Sequence, residues 1–230
     1  MPIYQLKIKL LSDTTFGRGD GVAGLIDQEV EHDPSGFPYL RGRTLKGLLT
    51  EECDNLITLL SDDCKPAWEK LACKLFGKPG SACKTMGIVR FGDACLPDKL
   101  RKAVALQIEQ EASNKKQDAL TKTQVLDSLT TIRRQTAIDP QSGVADEGSL
   151  RSYRVVVRDF CFTANLMFEK PPDKEMLCLL GVGALALRRI GSGRNRGRGH
   201  VRCTLHDSKG NDITYQYIND FGKEITENIV

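Results

Sequence analysis

The sequence predicts an α+β fold in which helices cover one face of an antiparallel sheet, and three observations carry that prediction. Residues 3–11 alternate: Tyr4, Leu6, Ile8 and Leu10 fall on one side and Gln5, Lys7 and Lys9 on the other, the period of a half-buried strand. Two later segments, one after Thr44 and one over 173–190, repeat apolar residues at helical spacing. Strand patterns return over 131–138, 153–168 and 200–206.

Taken in order, the first strand leads into residues 12–43, a glycine- and proline-rich stretch that includes Gly17, Gly19, Gly21, Gly24, Pro34 and Pro38. Loops of this length in compact domains carry function or stay disordered. Thr44 is the expected helix N-cap, followed by an apolar stripe of Leu45, Leu48, Leu49, Cys53, Leu56, Ile57 and Leu60. Residues 61–96 read as irregular, with one short helical piece over 68–76. Pro97 opens a further helix to about residue 112, and 113–122 is polar and expected to be mobile. The strands at 131–138 and 153–168 flank the turn-rich DPQSGVADEGS and read as a long hairpin. The helix at 173–190 carries Met176, Leu177, Leu180, Ala184 and Leu187 as its apolar stripe. After the last strand, 207–230 reads as a loosely held extension. The order strand, helix, strand, strand, helix, strand is the ferredoxin-like arrangement, close to the RNA-recognition-motif (RRM-like) fold. The expectation is a single domain over 1–230 with insertions at about 61–122 and 131–158.

Of the 230 residues, 40% are hydrophobic and 27% charged, with a net charge of +3. A core can therefore be buried, and bulk charge is too small to identify a nucleic-acid binder; the distribution of charge has to do so. No apolar run is long enough for a bilayer, and the N-terminus lacks a signal-peptide core, which gives a cytoplasmic reading with no membrane partner. Eight cysteines in that setting are expected as reduced thiols or metal ligands.

Four groups of residues carry candidate chemistry. In RIGSGRNRGRGHVR, Gly191, Gly193, Gly197 and Gly199 alternate with Arg194, Asn195, Arg196 and Arg198, with no acid among the fourteen residues. Glycine lets a backbone approach a phosphate, and the guanidinium fork binds its oxygens. The plain alternative is a solvated loop whose cations suit a helix C-terminus. Arg41, Arg43, Thr44 and Lys46 at a helix start form a second phosphate seat. Asp27 and Asp33 lie on the long loop, where a carboxylate can orient an in-line attack or hold a divalent metal; most loop aspartates are merely solvated. Cys64, Cys73 and Cys83 fall in an irregular, apolar-poor segment where a zinc staple would help, although no C-x2-C pair is present.

The order of several motifs resembles the RAMP superfamily of CRISPR-associated proteins, and within it the backbone (Csm/Cmr-type) subunit of type III effector complexes. The motifs are the segment from Leu25-Ile26-Asp27 to Asp33, the helix entry Pro38-Tyr39-Leu40-Arg41-Gly42-Arg43-Thr44-Leu45-Lys46-Gly47, Leu75-Phe76-Gly77, the stretch from Thr131 to Asp139, and the glycine-arginine loop. The resemblance implies that the subunit binds CRISPR guide RNA and packs beside other RAMP-type subunits and the large subunit. It also implies cleavage of complementary target RNA at Asp27, with Asp33 as the nearby alternative and Mg2+ or a similar divalent cation as cofactor. The hairpin becomes a thumb whose Arg133, Arg134, Arg151 and Arg154 meet phosphates, residues 61–122 become a lid, and Zn2+ at the cysteines becomes an option. Two other readings remain within the superfamily: a non-catalytic scaffold, and a guide-precursor processing endoribonuclease. Processing enzymes of this kind use histidine, and His32, His200 and His206 form no convincing constellation. An ordinary RRM protein, which stacks bases on strand aromatics, is disfavoured because HVRCTLH has none.

Overall fold

The computed structural model describes residues 3–78, 86–114, 118–218 and 221. Four strands form the central sheet in the order β2-β5-β1-β6, with every neighbouring pair antiparallel. They are β1 (Ile3–Leu10), β2 (Val89–Phe91), β5 (Cys161–Phe168) and β6 (Val201–His206). Helix α1 (Gly42–Thr58) lies between β1 and β2 in the chain, and α5 (Lys174–Ala186) between β5 and β6. This is the expected α+β, ferredoxin-like fold.

The alternation in β1 works as read. Leu6, Ile8 and Leu10 are fully buried and pair in register with Ala164, Phe162 and Val201 among their neighbours, while Lys9 faces solvent. Leu45, Leu49, Cys53 and Ile57 of α1 close over that face. Helices α1 and α5 cross so closely that a Cβ on Gly183 would stand 2.5 Å from Cys53 Sγ. Burial in this contact pushes the Cys53 thiol far above its ordinary value, and burial pushes Cys203 on β6 up to about 12.

Helix α5 is buried nearly all round. Its outer side is covered by residues 212–218: Ile213 and Thr214 are buried, and Cys178 Sγ donates to Tyr217 O at 3.0 Å. These residues were expected to hang loosely, yet an all-apolar helix needs a cover, and they supply it. Phe221 meets Trp68 of α2 (Lys65–Phe76) edge to face, 4.9 Å between centroids.

Three further elements depart from the sequence reading. The second core strand is the three-residue β2, not 131–138. The segment 153–168 is two strands: β4 (Arg151–Val156) pairs with β3 (Thr130–Gln135) in a separate two-stranded sheet, and β5 enters the central sheet. The break falls at Asp159, whose φ of 76° reverses the chain so that its N–H donates to Leu10 O. After α3 (Asp98–Ser113), residues 118–121 lead to an unexpected α4 (Lys122–Leu129), started by a capping box between Thr121 and Gln124.

Candidate nucleic-acid interface

The glycine-rich loop is seated on the chain leaving β1. Gly199 N donates to Asp13 O, Ser192 N to Thr15 O, and Thr14 Oγ1 to Ile190 O at 3.0 Å. Two of its glycines are forced by this seating. A Cβ on Gly199 would stand 1.9 Å from Ile190 O, and one on Gly191 would stand 2.5 Å from Thr15 O; both residues have positive φ. The outer part of the loop, 193–198, has open space around Gly197 and leaves Arg196 exposed. Arg194 reaches Glu51 on α1 at 3.3 Å, and the Arg198 guanidinium lies over the Tyr153 ring, 5.1 Å from its centroid.

The start of α1 differs from its expected form. Gly42 begins the helix, Arg41 is the capping residue with no side-chain cap, and Thr44 is one turn inside. The cap comes from a distant carboxylate: Asp93 Oδ1 accepts from Gly42 N at 2.7 Å. Helical rotation of about 100° per residue then splits the predicted phosphate seat. Arg41, Thr44 and Leu48 turn towards the glycine-rich loop and line a groove of about 250 Å3 with Gly191 and Arg194. Arg43 and Lys46 turn the other way, into a groove of about 500 Å3 shared with Lys78 and Arg90.

The first groove continues. Arg194 also lines a second groove of about 380 Å3 with Tyr153, Asn195, Arg196 and Arg198, and Arg196 lines a third of about 690 Å3 with Arg151 and Tyr153 at the hairpin base. Grooves that share residues end to end make one cationic track from α1 to the hairpin, about the form a phosphodiester chain requires. Sequence reading missed Tyr153; it is the one aromatic within the hairpin strands and stands between Arg151 and Arg154, which is the signal that was available.

Asp27 lies beside this track on the far edge of β4. Its Oδ2 accepts from Ser152 N at 2.6 Å, its own N–H donates to Ser152 O, and it lines a groove of about 550 Å3 with Leu25 and Leu150. The other oxygen, Oδ1, accepts no hydrogen bond among the described residues. A hydrated Mg2+ held by one carboxylate and a substrate phosphate needs no more from the protein, so the site fits such an ion. Asp33 is fully employed instead: Oδ1 accepts from Ser35 N and Phe37 N, and Oδ2 accepts from Arg101 Nε and Nη2 at 3.0 and 2.9 Å. It holds a turn to α3 and is a poor alternative for catalysis.

The hairpin arginines divide. Arg134 and Arg151 are exposed; Arg133 is half taken by Asp13 at 2.8 Å. Arg154 does not face a phosphate: half-buried, it pairs with Glu29 at 2.9 Å and Asp127 at 2.7 Å. The zinc set also fails its geometric test. Cys64 begins α2 and Cys73 lies nine residues on, so about 13 Å of helix rise and roughly half a rotation separate them. One tetrahedral ion with bonds of about 2.3 Å cannot hold both. Cys83 lies outside the described residues, and among the described residues no three metal-ligating side chains cluster. His200 is exposed, His32 contacts its neighbour's carbonyl and His206 contacts Thr204, so no histidine joins the track.

A ferredoxin-like sheet with a glycine-rich cationic loop between its last helix and last strand defines the structural class. The RAMP superfamily matches residues 7–202, and the chain belongs to that superfamily. The fold is shared with a chain in the solved structure of a type III-B Cmr-β complex in the apo state, at TM-score 0.60 and 16% identity, covering 90% of this chain and 97% of that one. The same complex bound to cognate target RNA gives TM-score 0.58 at the same identity and coverage. A search of curated protein sequences returns no match. Among the described residues no helix is long and apolar enough to cross a membrane.

Proposed function

We propose that this chain is a guide-RNA-binding backbone subunit of a type III CRISPR effector complex, and that it cleaves complementary target RNA at Asp27. The observation that carries the reading is the single cationic track. Arg41 and Thr44 meet Gly191 and Arg194 across one groove, and Arg196 extends it to the hairpin. Superfamily membership supports it, as does the fold shared with a chain of an RNA-bound type III-B complex. The guide backbone lies on the track, and the hairpin separates the track from Asp27. The 2′-oxygen of the target attacks the adjacent phosphorus in line and gives its proton to solvent; the P–O5′ bond breaks, the departing 5′-oxygen takes a proton from water, and a 2′,3′-cyclic phosphate is left, while Asp27 orients the scissile segment. Asp27 would hold a divalent cation, which would supply charge neutralisation at that phosphate. Other RAMP-type subunits and the large subunit complete the particle, each backbone copy adding one site.

A scaffold role without chemistry is favoured by one feature: among the described residues Asp27 belongs to no group of three or more side chains that could hold a metal ion. Asp27→Ala in the reconstituted complex separates the two readings. Cleavage should vanish at this subunit's site while guide and target binding stay within about twofold; cleavage retained at that site assigns the chemistry elsewhere.

A further inference from the structure

The groove between α1 and the glycine-rich loop contains something that a pure phosphate track does not need. Glu31 lies in its wall with a side chain only 12% exposed. Its Oε1 accepts from the Tyr39 hydroxyl at 2.9 Å and its Oε2 from Arg41 at 2.6 Å. A carboxylate there repels an anion. Leu48 gives the groove an apolar wall over the buried Phe16 and Leu40, Thr44 and Ser192 add polar edges, and Arg41 and Arg194 also line it. At about 250 Å3 the space is below the range of drug-sized pockets and suits a single flat ring system.

The acceptor count selects the ring. Each carboxylate oxygen has about two acceptor sites, so one remains on each oxygen after Tyr39 and Arg41 are served. Two adjacent acceptors match two adjacent N–H donors. Among the four RNA bases only guanine presents that pair, its N1–H and its exocyclic amine. Adenine and cytosine put a ring acceptor beside the amine, and uracil flanks its single N–H with carbonyls.

We propose that this groove accepts one guanine base, read by Glu31, with its phosphate on Arg41 or Arg194. The inference rests on the RNA-binding reading and deepens it: the track as a whole is indifferent to sequence, and this one position is not. Such a position selects either a guide nucleotide or the register in which the guide is loaded.

Calorimetric titration of the full chain with the 5′-monophosphates of guanosine, inosine, adenosine and uridine, and with inorganic phosphate, tests it. Guanosine monophosphate should bind about tenfold tighter than the adenosine and uridine nucleotides. Inosine monophosphate, which lacks the exocyclic amine, should fall between. Glu31→Gln should erase the preference among the nucleotides. Equal affinities across the series, a preference for adenosine, phosphate binding as tightly as the guanosine nucleotide, or a preference that survives Glu31→Gln each overturn the proposal. If Glu31→Gln does not fold, the wild-type series decides alone. Failure of the unaltered chain to bind oligouridylate instead counts against the track itself, whatever the nucleotide series gives.

Discussion

Asp93 caps α1 from fifty-one residues away, its Oδ1 accepting from Gly42 N at 2.7 Å. The bond joins the helix start to the sheet edge, because Asp93 follows directly on β2 and its turn. Gly42 permits the approach: a Cβ there would stand 2.4 Å from Phe91 O. Leu40 and Ala94 exchange backbone bonds in both directions beside it. Losing a carboxylate cap costs about 1 kcal/mol. Asp93→Ala should therefore lower the unfolding free energy by about that amount in urea titration, with Asp93→Asn recovering part of it.

The four glycines of the basic loop should not respond alike. At Gly197 a methyl group meets open space, and only the φ of 76° opposes alanine. Gly197→Ala should cost about 1–2 kcal/mol. At Gly199 the same methyl group would collide with Ile190 O, so Gly199→Ala should cost about 3 kcal/mol or more and displace the loop. Urea denaturation of the two variants side by side measures the contrast.

The hairpin arginines differ in the same measurable way. Arg154 and Glu29 have side-chain exposures of 14% and 6%. Removing one partner of a buried pair leaves an uncompensated charge, so Arg154→Ala should destabilise by about 3–5 kcal/mol. Arg133 is 56% exposed in its pair with Asp13, and Arg133→Ala should cost below about 1 kcal/mol. Thermal melts of both variants at neutral pH check this.

Arg196 and Arg198 have no acidic partner among the described residues, apart from the Tyr153 ring under Arg198. Each is therefore available to a phosphate. Replacing either by alanine should weaken RNA binding at every sequence about equally and reduce the slope of log affinity against log salt by about 0.7 for a single strand. Fluorescence anisotropy at several salt concentrations reads both quantities. A change in base preference without a change in slope would assign these arginines a different role.

Much of the fold was legible because its signals are periodic or compositional. The β1 alternation, the α1 stripe and the glycine-arginine loop all stand where the sequence put them. β2 was illegible because three residues cannot show a period; Val89, Arg90 and Phe91 become a strand by pairing with Phe168, Met167 and Leu166. The fusion of β4 and β5 followed from β-branched and aromatic residues on both sides of Asp159, a residue whose left-handed φ only the tertiary fold reveals. Helix α4 was avoidable, since Thr121 and Gln124 three apart before Val125 and Leu126 spell a capping box. At the site, Arg41 and Thr44 line one groove with Gly191 and Arg194. Arg43 and Lys46 were joined wrongly, and counting 100° per residue along α1 would have parted them.

The brevity of β2 also governs how copies of this chain can meet. A sheet whose free margin is three residues long offers almost no row of unpaired amides for a neighbour to extend, and at the opposite margin Ile213 N already donates to Leu205 O of β6. Lateral growth of the central sheet by strand addition is thereby disfavoured at both margins. An array joined at the central sheet would therefore be stitched through side chains, which would leave each joint individually tunable.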